Sequence, residues 1–210
     1  MHIPKDAQFP GWVRWASLVW LALWIPSYWI TWGAANFLHL CDIAVILACA
    51  GFWFGNSRLL SSQAISSLVA DLLWDLDAGW KLFFGHHLFG GTEYMWDAHY
   101  PLWVRLLSLF HVVLPVVLLW ALYRAGYDRG GFIFQSSVAA LAMVAARYTD
   151  SALNINYVFR DPILHRMWGP EPVHLALMWL GLVVVIYLPT HLLLQKIFAP
   201  PQSAASTMES

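Results

Sequence analysis

Cys41 and His111 are the side chains of this sequence best suited to covalent chemistry. A thiol becomes a strong nucleophile when a nearby base takes its proton, and an imidazole is the usual base. A carboxylate or an amide can orient that imidazole, and Asp42 or Asn156 would serve. Acyl transfer also needs donors for the oxyanion, and Arg147, Asn154, Asn156 and Tyr157 stand close together in one later segment. The spacing therefore gives a catalytic set of Cys41, His111, Asp42 and Asn156. A substrate-binding set of His39, Arg147, Asn154 and Tyr157 stands beside it. Each residue also has a plainer reading. Free cysteine is among the most buried residue types and is often inert, and a histidine inside a span often only bonds a neighbouring helix.

Two other constellations carry chemistry. His39 and Asp42 are i,i+3 and share a helix face. With His111 they would offer imidazole and carboxylate to Zn²⁺ or Fe²⁺. No tight signature such as HExxH is present, so no cofactor is the first expectation and a divalent metal such as zinc the alternative. Asp71 and Asp75 are i,i+4, with Asp77 beside them, and would suit a proton or cation path. The plainer reading keeps Asp75 and Asp77 at the headgroup level and buries only Asp71, against a Ser or an Arg. Thr190 and His191 follow Pro189 and read as a helix-end motif. There is no GxSxG elbow, no P-loop, no His-x4-Asp box and no mid-span lysine.

The elements that must position these residues are set by composition. Of 210 residues, 60% are hydrophobic and 11% charged, against a globular norm of about 25% charged. Such a chain predicts an all-α, polytopic membrane helical bundle of about six transmembrane helices, since a span takes about 20 apolar residues. The apolar runs are Gly11 to Trp32, Ala35 to Gly55, Arg58 to about Phe84, Leu102 to Tyr123, Phe132 to about Tyr148, and Val173 to Phe198. They form one domain over 1–198, and 199–210 reads as a disordered tail. The third run carries serines, a glutamine and three aspartates, so it is expected among the other helices rather than against lipid. Only Gly33 and Ala34 separate the first two runs, which predicts a tight hairpin. Six spans put the connections after the first, third and fifth on one side, and most of the polar candidates gather there. Cys41 is expected about 9 Å into its helix and His111 about 14 Å.

Charge is near balance, at −1, so there is no basic field for nucleic acid. Cys41 and Cys49 are too far apart on one helix to bridge. An N-terminus on the cytoplasmic side puts Lys5, Arg14, Arg58, Arg124, Arg129 and Lys196 inside, against Lys81, Arg105, Arg147, Arg160 and Arg166 outside, a small excess in its favour. A bacterial inner membrane is the expected location.

At His39-Leu40-Cys41, Phe110-His111 and Asn156-Tyr157 the sequence resembles the YwaF-like integral membrane proteins. The resemblance covers roughly Asn36 to Pro162, with the stretch WDLDAGWKLFFGHHLFGG outside the pattern. This family of six-to-seven-span proteins has a vertebrate branch that looks like a phospholipid acyltransferase. The resemblance implies Cys41 as nucleophile, His111 as base, and a role for 149–161 in shaping a lipid site. A more distant likeness is to the androgen-induced lipid-ester hydrolases, which use Thr and His in a comparable layout. The expected function is transfer or hydrolysis of a fatty acyl ester in the membrane, with membrane lipids as partners. The alternatives are a non-enzymatic transporter or an accessory subunit, with a membrane-protein partner or a second copy, and a metal-dependent membrane enzyme.

Overall fold

The structure, a computed structural model, describes residues 9–198. Lys5, Asp6 and the tail expected to be disordered over 199–210 lie outside the described residues. Among the described residues the chain is all-helical, with no strand. Helix α1 spans Gly11–Trp32, α2 spans Leu40–Phe54 and α3 spans Ser57–Phe84. Two helices make up the fourth apolar run, α4 at Leu102–Leu107 and α5 at Phe110–Ala125. Helix α6 spans Gly130–Ala146. The last run is α7 at Glu171–Gly181, a wider π turn at Leu182–Tyr187, and α8 at Leu188–Ile197.

Two helical stretches are long and apolar enough to cross a membrane: Leu102–Ala125, of 24 residues, and Glu171–Ile197, of 27. Leu40–Phe54 and Gly130–Ala146 are apolar but shorter. The other two long helices are limited by content rather than length. Six of the 22 residues of α1 are tryptophan, whose ring is half polar. Helix α3 holds Asp71, Asp75, Asp77 and Lys81.

Helix α3 is the hub, packed against α2, α5 and α6. Its first half meets the expectation of burial, since every residue from Leu60 to Ser67 is buried. Its second half does not, because Leu72, Leu73, Leu76, Leu82, Phe83 and Phe84 are exposed. Small residues make the hub tight. A Cβ added at Gly131 in α6 would lie 2.9 Å from the Ser62 amide nitrogen of α3. The two backbones meet there with no room for a side chain. Polar bonds reinforce the contact: Gln135 Nε2 donates to Ser66 Oγ at 2.9 Å and to Tyr187 Oη at 3.2 Å. The polarity is inverted relative to a water-soluble bundle. Ser61, Ser62, Gln63, Ser66, Asp71 and Gln135 are buried, while Ile30, Ile133, Leu141 and Val185 are exposed.

The connections segregate to two ends. At one end Trp32 packs edge-on to Tyr94 of the third connection, with ring centres 5.8 Å apart. At the same end Asn156 of the fifth connection bonds the backbone of the first. At the other end Arg58 pairs with Asp128 at 3.4 Å, and Tyr127 Oη meets His191 Nδ1 at 2.5 Å.

Three expectations need correction. The first connection is no two-residue hairpin. Gly33 leaves α1 with φ +79°, and a 3₁₀ turn at Ala34–Leu38 precedes α2. Cys41 therefore lies in the first turn of α2 and not 9 Å inside a helix. Thr190 and His191 end no helix. They lie within α8, where Thr190 Oγ1 donates to the Ile186 carbonyl.

Candidate functional site

The candidate site lies at the end of the bundle that holds the first, third and fifth connections. Helix α2 begins there, with His39 as its N-cap residue. Asp42 is buried and Cys41 keeps partial exposure. The Cys41 thiol donates to Asp42 Oδ1 at 3.9 Å, and Asn36 Nδ2 donates to Asp42 Oδ2 at 2.6 Å. The first-turn amides of Cys41 and Asp42 lie beside the sulfur. A helix N-terminus carries partial positive charge and favours an anion there. Thiol, carboxylate and amide thus form a short chain at the start of a helix.

His111 is buried one helix away, in the first turn of α5. Its Nδ1 is 2.7 Å from the Ser108 carbonyl oxygen. A carbonyl only accepts, so Nδ1 carries the hydrogen, and the neutral ring keeps a lone pair on Nε2. Trp74 of α3 stacks on this ring, 4.5 Å away and 7° from parallel, and Phe110 covers it at 4.0 Å. The break between α4 and α5 at Ser108 and Leu109 makes this possible, because it turns the Ser108 carbonyl onto the imidazole. Cys41 and His111 share no hydrogen bond: the thiol is directed at Asp42, the imidazole at Ser108.

Two tyrosines lie near Asp42. Tyr28 Oη and Ser108 Oγ are 2.6 Å apart. Trp74 Nε1 donates to Tyr94 Oη at 3.2 Å, and Tyr94 lies within electrostatic reach of Cys41 and Asp42. Burial holds the Tyr94 hydroxyl in its neutral form, above the ordinary tyrosine range. Tyr157 is also pushed up, by burial and then by Cys41 and Glu93, although the residue as a whole is 48% exposed. Sequence reasoning passed over Tyr28, Tyr94 and Asn36. Only Asn36, i−6 from Asp42, had a local signal.

The other expected site residues build the fifth connection. Asn156 Oδ1 accepts from Leu40 N–H at 3.1 Å, and its Nδ2 donates to the Leu38 carbonyl at 2.7 Å. This two-pronged clamp grips the backbone on both sides of His39. Asn154 Oδ1 accepts from the amides of Phe159 and Arg160, and its Nδ2 donates to the Arg160 carbonyl. Asn154, Asn156 and Tyr157 all have positive φ, a conformation asparagine tolerates well. Arg147 Nη1 donates to the Val158 carbonyl at 3.1 Å. The same guanidinium pairs with Glu171 and covers the Phe159 ring at 4.3 Å. His174, unremarked in the sequence, accepts from Trp168 N–H at Nδ1 and donates from Nε2 to the Tyr157 carbonyl.

The aspartates divide differently from the plain expectation. Asp77 is buried within the protein, as Asp71 is. Its Oδ1 accepts from the amides of Leu88, Phe89 and Gly90, and its Oδ2 meets His87 and the Thr92 hydroxyl. It shapes the third connection. Asp71 is buried as expected, with the Ser67 hydroxyl one turn back as its polar neighbour and no Lys or Arg paired with it. Among the described residues no three of His, Cys, Asp and Glu gather as a metal site, so His39, Asp42 and His111 do not form one together.

Comparison with known proteins gives no neighbour for this arrangement: no protein-family model, no curated protein and no solved structure matches the chain.

Proposed function

We propose that this protein is a six-span integral membrane enzyme that transfers or hydrolyses a fatty acyl ester through Cys41. The observation that carries the reading is the Cys41–Asp42–Asn36 chain at the N-terminus of α2, with Cys41 partly exposed and His111 of α5 keeping its Nε2 lone pair. The inverted polarity of the bundle supports a lipid setting. So do the third and fifth connections at the same end of the bundle, where Leu88, Phe89, Leu153, Ile163 and Leu164 are exposed. Apolar loops at the rim of a bundle suit acyl chains better than water.

In the proposed reaction the thiol proton passes to Asp42 or to His111 Nε2. The sulfur attacks the ester carbonyl carbon, a C–S bond forms and the C–O bond breaks. The alkoxide leaves with the proton. Water or a second lipid hydroxyl then attacks the thioester, returns the acyl group to oxygen and restores the thiol. The resemblance to the YwaF-like proteins agrees with these roles for Cys41 and His111.

The test is acyl turnover by purified protein in lipid nanodiscs given phospholipid with lyso-lipid acceptor. Cys41→Ala is expected to abolish turnover, and His111→Ala to lower it about 10²–10⁴-fold, as loss of a general base does. Turnover unchanged in Cys41→Ala sinks the proposal.

A further inference from the structure

Helix α3 has a feature that the acyl reading leaves unused. Gln63, Ser67, Asp71 and Asp75 follow one another at i,i+4 and make a single row about 18 Å long. Every buried side-chain oxygen that makes no well-formed hydrogen bond among the described residues belongs to this row. These are Gln63 Oε1, Ser67 Oγ, both oxygens of Asp71, and Asp75 Oδ1. Gln63, Ser67 and Asp71 are 0%, 1% and 0% exposed. The polar side chains beside the row on α3 are satisfied. Gln63 spends its amide nitrogen on Ser62 and Gln135, and Ser66 accepts from Gln135.

A buried ionised carboxylate with no cationic partner costs several kcal/mol and is not left so. No lysine or arginine is paired with Asp71. A row made only of oxygens attracts a hard cation. A single carboxylate at its buried centre, with no third ionisable ligand, balances one positive charge and not two. The row is also reachable. Asp75 is only half-buried and borders a groove lined by Leu76, Gly79, Trp80, Phe83 and Phe84, and Gly79 faces open space.

We propose that this row binds a monovalent cation, a proton or a sodium ion, at Asp71, and that the cation enters past Asp75. Ser67 supplies a neutral oxygen on the inner side and Asp75 the exchange position on the outer. The other titratable groups on elements around this part of α3 are Cys41 and Asp42 of α2, His111 of α5, Tyr94 of the third connection and Tyr187 of the π turn.

Infrared difference spectroscopy on the full-length protein in nanodiscs, at neutral pH with and without excess sodium, tests this. A protonated-carboxyl band that is lost in Asp71→Asn and indifferent to sodium identifies a proton. A band of the same residue that sodium removes identifies sodium. Should Asp71→Asn not fold, Asp71→Glu is expected to shift the band instead. Asp75→Asn is expected to slow deuterium exchange of the band several-fold. The band persists in Cys41→Ala, so loss of acyl turnover and loss of the cation site are read separately. Spectra of wild type and Asp71 variants with no difference in the protonated-carboxyl region in either buffer overturn the proposal.

Discussion

Asp161 shows how one side chain can hold a whole connection. Its carboxylate accepts from the amides of Leu164, Arg166 and Ile163 and from the Trp168 indole. The Leu164 amide leads the effects that hold this carboxyl down at about 2. The ordinary aspartate value is about 3.9. A depressed value means that the stabilisation is complete above the ordinary value and is lost as pH falls through the folded one. Protease nicking of the 159–168 segment is therefore expected to stay slow at neutral pH and to rise as pH falls from about 4 towards 2. In Asp161→Asn it should be fast throughout. A flat pH profile in the wild type would remove Asp161 from this role. The residue types at the site were readable in the sequence, but their partners were not. Cys41, Asp42 and His111 announce themselves as rare ionisable groups in apolar runs. That the thiol faces Asp42 while the imidazole faces Ser108 depends on where α2 starts and where α5 breaks, which no local pattern encodes.

At the scale of elements, hydrophobic runs located the helices well. Residues 11–32 were read with both ends in place, and α3 begins one residue before its expected start. Runs see apolar content, and so they missed breaks that leave that content unchanged. Gly33 and the 3₁₀ turn shorten α2, and a π turn interrupts the last helix. The contact of α3 with α6 rests on the absence of a side chain at Gly131. Gly131→Ala would drive a methyl onto the Ser62 backbone, which cannot rotate away, and overpacking of this kind costs about 1–3 kcal/mol. The expected result is a lower unfolding midpoint in detergent. A midpoint at or above the wild type would show that α6 can ride away from α3 freely.

At the scale of the molecule, the gathering of three connections at one end is the property on which the proposed site depends. In the proposed six-span arrangement this end faces one compartment. Single cysteines placed at His86 and Leu153, in a background with Cys41→Ala and Cys49→Ala, are expected to react with an impermeant thiol reagent from the same side. One at Arg124 should react from the other. Labelling of the first two from opposite sides would break the six-span arrangement and, with it, the acyl reading.

The Asn156 clamp has a consequence in time. It joins residues 116 and 118 positions apart, and chains emerge from the ribosome N-terminus first. Helices α1 to α6 are all made before the residue that pins the backbone on either side of His39 exists. The thiol at the start of α2 thus spends most of synthesis beside a backbone that Asn156 does not yet pin. A chain truncated before Asn156 would carry every catalytic candidate except the clamp, and the start of α2 in it would be left unheld.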